Sequence, residues 1–130
     1  MANPNLNKVF LIGRLTRDPE LRYTTSGQAV TTFGLATSRT YMAKEGKKEE
    51  TCFVNIVTWG KQAEVCAEYL KKGNLIFIEG RLQYRKWETQ DGEKRSTIEV
   101  VVINFQFLEK AQNQTLQAEK KEEVENVEKP

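Results

Sequence analysis

The sequence predicts an all-β domain with one short helix, arranged as a small, closed, five-stranded Greek-key barrel with extended hairpins. Five segments are rich in β-branched and aromatic residues and alternate between apolar and polar positions, which is typical of half-buried strands. One amphipathic segment lies between the third and fourth of them, and Gly13 and Gly34 interrupt long strands where a curled sheet would bend. A parallel sheet built from βαβ units would need more helices than this chain offers.

The first three strands are predicted in the N-terminal half of the chain. Residues 7–17 (NKVFLIGRLTR) form the first, and Gly13 in its middle predicts a bulge or a sharp bend. The stretch DPELRYTTSGQ carries two turn signals and is predicted as a connection to the second strand, residues 30–41. The polar segment 43–50 predicts a flexible hairpin tip, and residues 51–59 (TCFVNIVTW) form the third strand.

The only convincing helix is predicted to start at Gly60-Lys61. Its apolar residues recur at i, i+3, i+4 and i+7 and so share one face: Ala63, Cys66, Ala67 and Leu70. Gly73 is predicted to end this helix in a left-handed conformation. The fourth and fifth strands are predicted over residues 74–84 and 96–108.

Charge and composition divide the chain into two regions. Residues 1–110 carry 17 basic and 13 acidic side chains, a net of +4, whereas residues 111–130 carry 3 and 5, a net of −2. The second region is polar and has no aromatic residue with which to build a core. We therefore predict one folded domain over residues 1–110 and a disordered, acidic-leaning tail over residues 111–130. The mildly basic body is compatible with a polyanionic partner.

The composition argues against catalysis and metal binding. The chain has no histidine, the commonest general base and metal ligand, and Cys52 and Cys66 fit no zinc spacing. Both cysteines are predicted to be small buried hydrophobic residues in a reducing compartment. The carboxylates nearest to a hydrolase pair are Glu79, Glu88 and Glu99, and no metal cluster accompanies them. We expect no catalytic residue, metal or cofactor, and a cytoplasmic protein without a membrane-spanning segment.

The hairpin between the last two strands, RLQYRKWETQDGEKRSTIEVVVI, combines aromatic side chains with cations near its turn. A three-residue loop, 90–92, with Gly92 left-handed, avoids the conflict of faces that a two-residue turn would create. This loop predicts Trp87 opposite Arg95. One side of the ribbon then carries Arg81, Gln83, Arg85, Trp87, Arg95 and Thr97, while the mostly apolar other side is expected to face the barrel.

The residues alone leave two interpretations of Trp87 open. Its indole either folds onto the body of the domain or forms an exposed platform on which a nucleobase stacks while guanidinium groups meet phosphates. The same alternatives apply to three further aromatic residues. Phe53 is predicted on the face opposite Ile56, Trp59 ends the third strand, and Tyr41 follows Arg39 by two positions.

Three stretches of the chain together resemble bacterial single-stranded DNA-binding proteins. They are NKVFLIGRLTRDPELRYTTSG, WGKQAEVCAEYLKKGNLIFIEGRL and RKWETQDGEKRSTIEVV, and the resemblance runs from Asn7 to about Leu108. It implies an oligonucleotide-binding (OB) fold, a homotetramer with strand-one pairing inside dimers, and binding of single-stranded DNA with little sequence preference during replication, recombination and repair. A single-stranded RNA-binding or protein-docking barrel of the same fold is the alternative, since fold alone does not determine function.

The resemblance also implies which residues contact DNA. The family's stacking positions fall on Tyr41, Phe53, Trp59 and Trp87, and its cationic positions fall on Lys8, Arg22, Lys61, Lys72 and Arg85. The best-known members carry tryptophan at the first two stacking positions and phenylalanine at the third. The family typically ends in an acidic Pro-Phe tip that recruits replication and repair proteins, whereas this chain ends VENVEKP. A cytoplasmic, nucleoid-associated location follows from the same resemblance.

Overall fold

The computed structural model describes residues 3–108, which contain six strands and one helix. In chain order these elements are β1 (Val9–Leu15), β2 (Glu20–Tyr23), β3 (Ala29–Ala43), β4 (Gly46–Trp59), α1 (Lys61–Tyr69), β5 (Leu75–Glu88) and β6 (Lys94–Phe107). The prediction of an all-β fold with one short helix is confirmed. The predicted tail, residues 111–130, and the end of the predicted domain lie outside the described residues.

Five of the strands close into a barrel in the order β1-β5-β6-β4-β3. The barrel closes because β1 changes partner along its length, pairing with β5 from Val9 and then with β3 at Arg14 and Leu15. The contact between β4 and β6 is parallel, at Ile56 opposite Val100, and the other pairings are antiparallel. The predicted five-stranded barrel is therefore confirmed.

The short strand β2 was not predicted, and it lies outside the barrel on the edge of β3. All four of its side chains are exposed, so its sequence, ELRY, carries no alternation of apolar and polar residues. Its strand conformation is supplied by backbone pairing with residues 29–32 of β3. The prediction of a plain connection at this point is wrong.

The core fills the barrel with aliphatic and aromatic side chains. Its fully buried members come from four strands, namely Phe33, Leu35, Ile56, Ile76, Ile78 and Val100. The predicted apolar face of α1 covers the same core through Cys66 and through Leu70 just past the helix end, and the Thr31 hydroxyl donates to the Ala63 carbonyl at 2.8 Å. Each such fully buried side chain contributes about 1.5–3 kcal/mol to folding.

Two glycine predictions need correction. The register irregularity lies between Glu79 and Gly80, and Gly13 instead allows close approach of two strands, since a Cβ there would lie 2.4 Å from the Ala36 carbonyl oxygen. The helix ends at Tyr69, so Gly73 does not terminate it. Gly73 has φ +92° and lies in the following turn, where its N–H donates to the Leu15 carbonyl at 2.8 Å.

Both long hairpins extend further than predicted. The β3–β4 ribbon pairs as far as Ala43 opposite Gly46, so the predicted flexible tip over 43–50 is wrong and the turn is the dipeptide 44–45. The β5–β6 ribbon likewise continues to Glu88 opposite Lys94. A cross-strand ion pair supports the first extension, since Glu50 of the predicted tip accepts from Arg39 Nε at 2.8 Å.

The predicted register of the β5–β6 ribbon is confirmed. Trp87 lies opposite Arg95, and the backbone N–H of Thr89 donates to the Glu93 carbonyl at 2.8 Å. Residues 90–92 therefore form a three-residue loop. Gly92 has φ +82°, the left-handed conformation that this loop requires. The expectation that the apolar side would face the barrel holds at the base of the ribbon, where Val100 and Val102 are buried in the core. Further along the ribbon Tyr84 and its neighbours on that side are exposed.

Candidate nucleic-acid interface

Strand register places most of the predicted site residues on one outer face of the sheet. Residues paired across strands point to the same side, as do alternate residues along one strand. One row of paired residues crosses β2, β3 and β4 and consists of Arg22, Val30 and Trp59. A second row crosses β4, β6 and β5 and consists of Val57, Val101 and Arg81. The outer face that runs through these two rows therefore carries Arg22, Phe53, Trp59, Arg81, Arg85, Trp87 and Arg95.

The β4 strand presents two aromatic rings on this face. Phe53 is 73% exposed and lies opposite the small Ala36, while Ile56 points into the core. Trp59 is exposed at the end of the same strand, directly before Gly60 and Lys61 at the start of α1. Packing into the core therefore does not explain Phe53, and a flat apolar ring remains available to a ligand.

On the β5–β6 ribbon, a buried carboxylate holds a guanidinium group over the Trp87 ring. The Arg85 Cζ atom lies 4.5 Å from the ring centroid, and Arg85 Nε donates to Glu99 Oε1 at 3.1 Å. The Glu99 side chain is only 6% exposed. Because a carboxylate is costly to bury without a partner, Glu99 anchors Arg85, and Arg85 in turn positions one side of the indole. Trp87 itself is 39% exposed.

The β3–β4 ribbon repeats this arrangement around Tyr41. The Arg39 Cζ atom lies 4.7 Å from the Tyr41 ring centroid, and Arg39 Nε donates to Glu50 Oε1 at 2.8 Å. Arg39 is absent from the predicted site residues, although the spacing Arg-x-aromatic, which puts both side chains on one face of a strand, was a signal that could have identified it.

Tyr41 lies on the opposite side of its ribbon from Phe53. Odd-numbered residues of β3 and even-numbered residues of β4 share one face, which carries the Arg39–Glu50 ion pair, and the other face carries the Ser38–Thr51 hydrogen bond and Phe53. The structure therefore brings three of the four predicted stacking residues onto one face and separates Tyr41 from them.

Three of the five predicted cations are already paired with carboxylates. Lys8 donates to Glu79 at 2.8 Å, Arg22 donates to Glu20 at 2.9 Å, and Arg85 is held by Glu99. By contrast, Lys61 and Lys72 form no ion pair with any residue in the described range. The backbone N–H of Lys72 donates to Asp18 Oδ1 at 2.8 Å, which orients the loop that carries its side chain.

The two cysteines differ in environment. Cys66 is buried against the core, and burial raises the pKa of its thiol to about 12, so it stays protonated at neutral pH. Cys52 is exposed, which makes the prediction that both are buried half wrong. Within residues 3–108, no group of three or more His, Cys, Asp or Glu side chains is placed to hold a metal ion. The described helix is too short and too polar to span a membrane.

A closed five-stranded barrel of this topology, with basic and aromatic ribbons projecting from it, defines an OB-fold protein with a surface suited to polyanions. A sequence model described as the single-strand binding protein family matches residues 6–108, and the chain belongs to this family. The family membership expected from the three sequence stretches is thereby confirmed.

Relatives and solved structures agree with this assignment. Single-stranded DNA-binding protein A of Bacillus subtilis is 52% identical over 104 residues, covering 80% of this chain and 60% of that protein. Single-stranded DNA-binding protein 1 of Lactococcus lactis is 50% identical over 115 residues, covering 88% and 76%. This chain thus spans about 60% of the length of several curated relatives that it matches.

Among solved structures, the Plasmodium falciparum single-strand binding protein in complex with single-stranded DNA superimposes with a TM-score of 0.74 at 28% identity. The match covers 84% of this chain and all of the other. The Thermus aquaticus single-stranded DNA-binding protein, in a deletion variant, gives a TM-score of 0.71 at 43% identity, covering 80% and 51%.

Proposed function

We propose that this protein binds single-stranded DNA with little sequence preference, without catalysis, metal or cofactor. The observation that carries the proposal is the outer face on which Phe53, Trp59 and Trp87 are exposed among cations. Bases stack on these rings and on Tyr41, and phosphates meet the cationic side chains of Lys8, Arg22, Lys61, Lys72 and Arg85. The names of the relatives and the solved complex with single-stranded DNA support the same ligand.

Stacking supplies the sequence-tolerant part of the binding free energy. One base on one aromatic ring contributes about 1–3 kcal/mol, a range drawn from single-strand binding OB-folds, this family included. Every base offers a flat ring face, so discrimination between bases is weak. Duplex DNA binds poorly because its bases are already stacked on one another.

Electrostatics supplies the salt-dependent part, and the cations contribute unequally. A cation that neutralises a phosphate releases a counterion, which steepens the fall of affinity with salt. Lys61 and Lys72 are free to do this, whereas Arg85 must share its guanidinium with Glu99. We propose that Arg85 acts first as the support of the Trp87 ring and second as a phosphate contact.

We propose a single binding domain over residues 1–110, a disordered acidic-leaning tail over residues 111–130, and a homotetrameric assembly. An exposed apolar surface on β1 supports the assembly. Phe10 and Ile12 are exposed, and the Phe10 ring is stacked against Phe77 with centroids 6.4 Å apart. Apolar patches of this kind mark protein interfaces. Light scattering of the Ile12→Glu variant, expected to dissociate, tests the assembly.

The cellular role follows from the ligand. We propose that the protein protects single strands during replication, recombination and repair, in the cytoplasm and in association with the nucleoid. Replication and repair proteins are proposed partners. The alternative ligand, single-stranded RNA, has no specific observation in its favour, and competition between DNA and RNA oligomers of equal sequence separates the two.

Tryptophan fluorescence provides the direct test, because Trp59 and Trp87 are the two tryptophans of the chain. Titration with poly-dT at several salt concentrations is expected to quench emission, with an affinity that falls as salt rises. A duplex of equal length serves as the control and should leave emission nearly unchanged. Unaltered fluorescence together with no mobility shift on poly-dT would disprove the proposal.

A further inference from the structure

The second face of the β5–β6 ribbon carries an exposed aromatic residue with no assigned role. Tyr84 is 59% exposed and lies opposite Ile98, which is 58% exposed. Both point to the side opposite Trp87, since alternate residues of a strand face opposite ways. In the described residues β1 pairs with β5 as far as Gly80, and β4 pairs with β6 at Val100 and Val101, which lie opposite Leu82 and Arg81. The ribbon beyond Leu82 therefore projects from the barrel, and aromatic side chains on both of its faces are exposed.

Like the two aromatic sites already described, this second face combines an exposed ring with a nearby cation. Lys86 Nζ lies 5.6 Å from the Tyr84 ring centroid, so a cation again accompanies an exposed ring two residues away. Lys94 and Ser96 stand on the same face of the neighbouring strand. A cation beside an aromatic ring suits a base with its phosphate better than it suits an uncharged apolar partner.

An open groove at the ribbon has both Tyr84 and Trp87 in its lining. Its volume is about 500 Å³, and its lining residues are Tyr84, Lys86, Trp87, Glu88, Lys94, Arg95 and Ser96. Three of these side chains are basic and one is acidic, a net of +2. The lining thus includes one aromatic ring from each face of the ribbon, and its charge favours a polyanion.

We infer that single-stranded DNA uses both faces of the β5–β6 ribbon, with the strand that stacks on Trp87 crossing the ribbon and placing a further base on the Tyr84 ring beside Lys86. This inference rests on the proposed function and extends its binding path by one stacking position. A second copy of the chain is the competing occupant. Two copies docked through this face would bring together two surfaces on which Lys86 and Lys94 outnumber Glu88, and such like net charges disfavour association.

The experiment distinguishes the contribution of the Tyr84 ring to DNA binding from that of exposed apolar surface. Full-length Tyr84→Leu, Tyr84→Ser, Ile98→Ser and Trp87→Ala chains are titrated with thymidine oligomers of about 4–16 nucleotides, the span of site sizes known for single OB-folds. Both Tyr84 variants are expected to weaken binding of the longer oligomers by about fivefold or more, the loss of one stacked base. Ile98→Ser, the matched control, removes apolar area without a ring and should bind like the parent chain.

Photo-crosslinking and molar mass complete the test. An oligomer that carries 5-iodouracil is expected to give an adduct on Tyr84, and light scattering should find unchanged mass in every Tyr84 variant. The inference is overturned if Tyr84→Leu binds DNA like the parent chain. It is also overturned if the molar mass of Tyr84→Ser falls while that of Tyr84→Leu does not. The Trp87→Ala chain separates the failure of this inference from the failure of the proposed function. If Trp87→Ala binds like the parent chain, the proposed function is rejected at this ribbon. If Trp87→Ala binds more weakly while both Tyr84 variants bind like the parent chain, only the use of the second face is rejected.

Discussion

The Arg85–Glu99 pair gives the sharpest prediction about this domain. Replacing Arg85 with alanine leaves the Glu99 carboxylate, 6% exposed, without its charged partner at 3.1 Å. Removing one partner of a fully buried pair costs about 3–5 kcal/mol. Arg85 is half exposed, so water screens the interaction and enters when the side chain is gone. We therefore expect Arg85→Ala to lower the free energy of unfolding by about 1–2 kcal/mol.

A double-mutant cycle isolates this coupling. Glu99→Gln removes the buried charge and still accepts a hydrogen bond from Arg85, so it should cost less than Arg85→Ala. Combined with Arg85→Ala it should recover most of the loss, which gives a coupling of about 1 kcal/mol. Urea unfolding followed by circular dichroism at one fixed protein concentration measures all four chains.

Two results would refute this reasoning. Additive effects of the two substitutions would show that Glu99 does not depend on Arg85. Full stability of Arg85→Ala would show that solvent satisfies the carboxylate in the folded state. Arg81→Ala on the same strand face, where no carboxylate partner is lost, is the matched control and should stay within about 0.5 kcal/mol of the parent.

The remaining predictions concern salt, thiols and strand packing. Lys61→Ala should reduce the slope of log affinity against log salt by about 0.7, and Arg22→Ala by much less because Glu20 already pairs with it; equal slopes in fluorescence titrations would contradict this. At pH 8 a thiol reagent should modify only Cys52 in the native protein and both cysteines in denaturant, since burial raises the Cys66 pKa to about 12; two fast native thiols would be inconsistent with that burial. Gly13→Ala should cost about 1–3 kcal/mol in urea unfolding, because its Cβ meets the Ala36 carbonyl at 2.4 Å; parent-like stability would mean that the strands separate easily.

Local sequence patterns were sufficient for much of the fold. The five barrel strands follow from alternation, because a strand that buries one side repeats its apolar residues every second position. The register of the β5–β6 ribbon follows from Gly92, since a two-residue turn would shift the pairing by one residue and place Trp87 and Arg95 on opposite faces. Both patterns act between residues close in sequence.

Local sequence patterns did not predict elements whose strand conformation depends on backbone pairing with a neighbouring strand. The β2 strand has no buried side chain, and its conformation depends on the backbone of β3. The polar segment 43–50 likewise has no hydrophobic pattern, yet most of it continues the β3–β4 ribbon through pairs such as Arg39 with Glu50. Polarity predicts exposure, and exposure is compatible with both a loop and a projecting ribbon.

For the candidate site, the sequence by itself determined the chemistry: which aromatic rings and cations are present, and that Arg85 and Trp87 share one strand face. Only the tertiary structure decided their relations. It placed Tyr41 on the opposite side of its ribbon from Phe53, buried Glu99 beneath Arg85, and exposed Tyr84 on a second face. The physical reason is that these relations depend on barrel closure and on how far each ribbon projects beyond it, and both arise from pairing between residues distant in the chain.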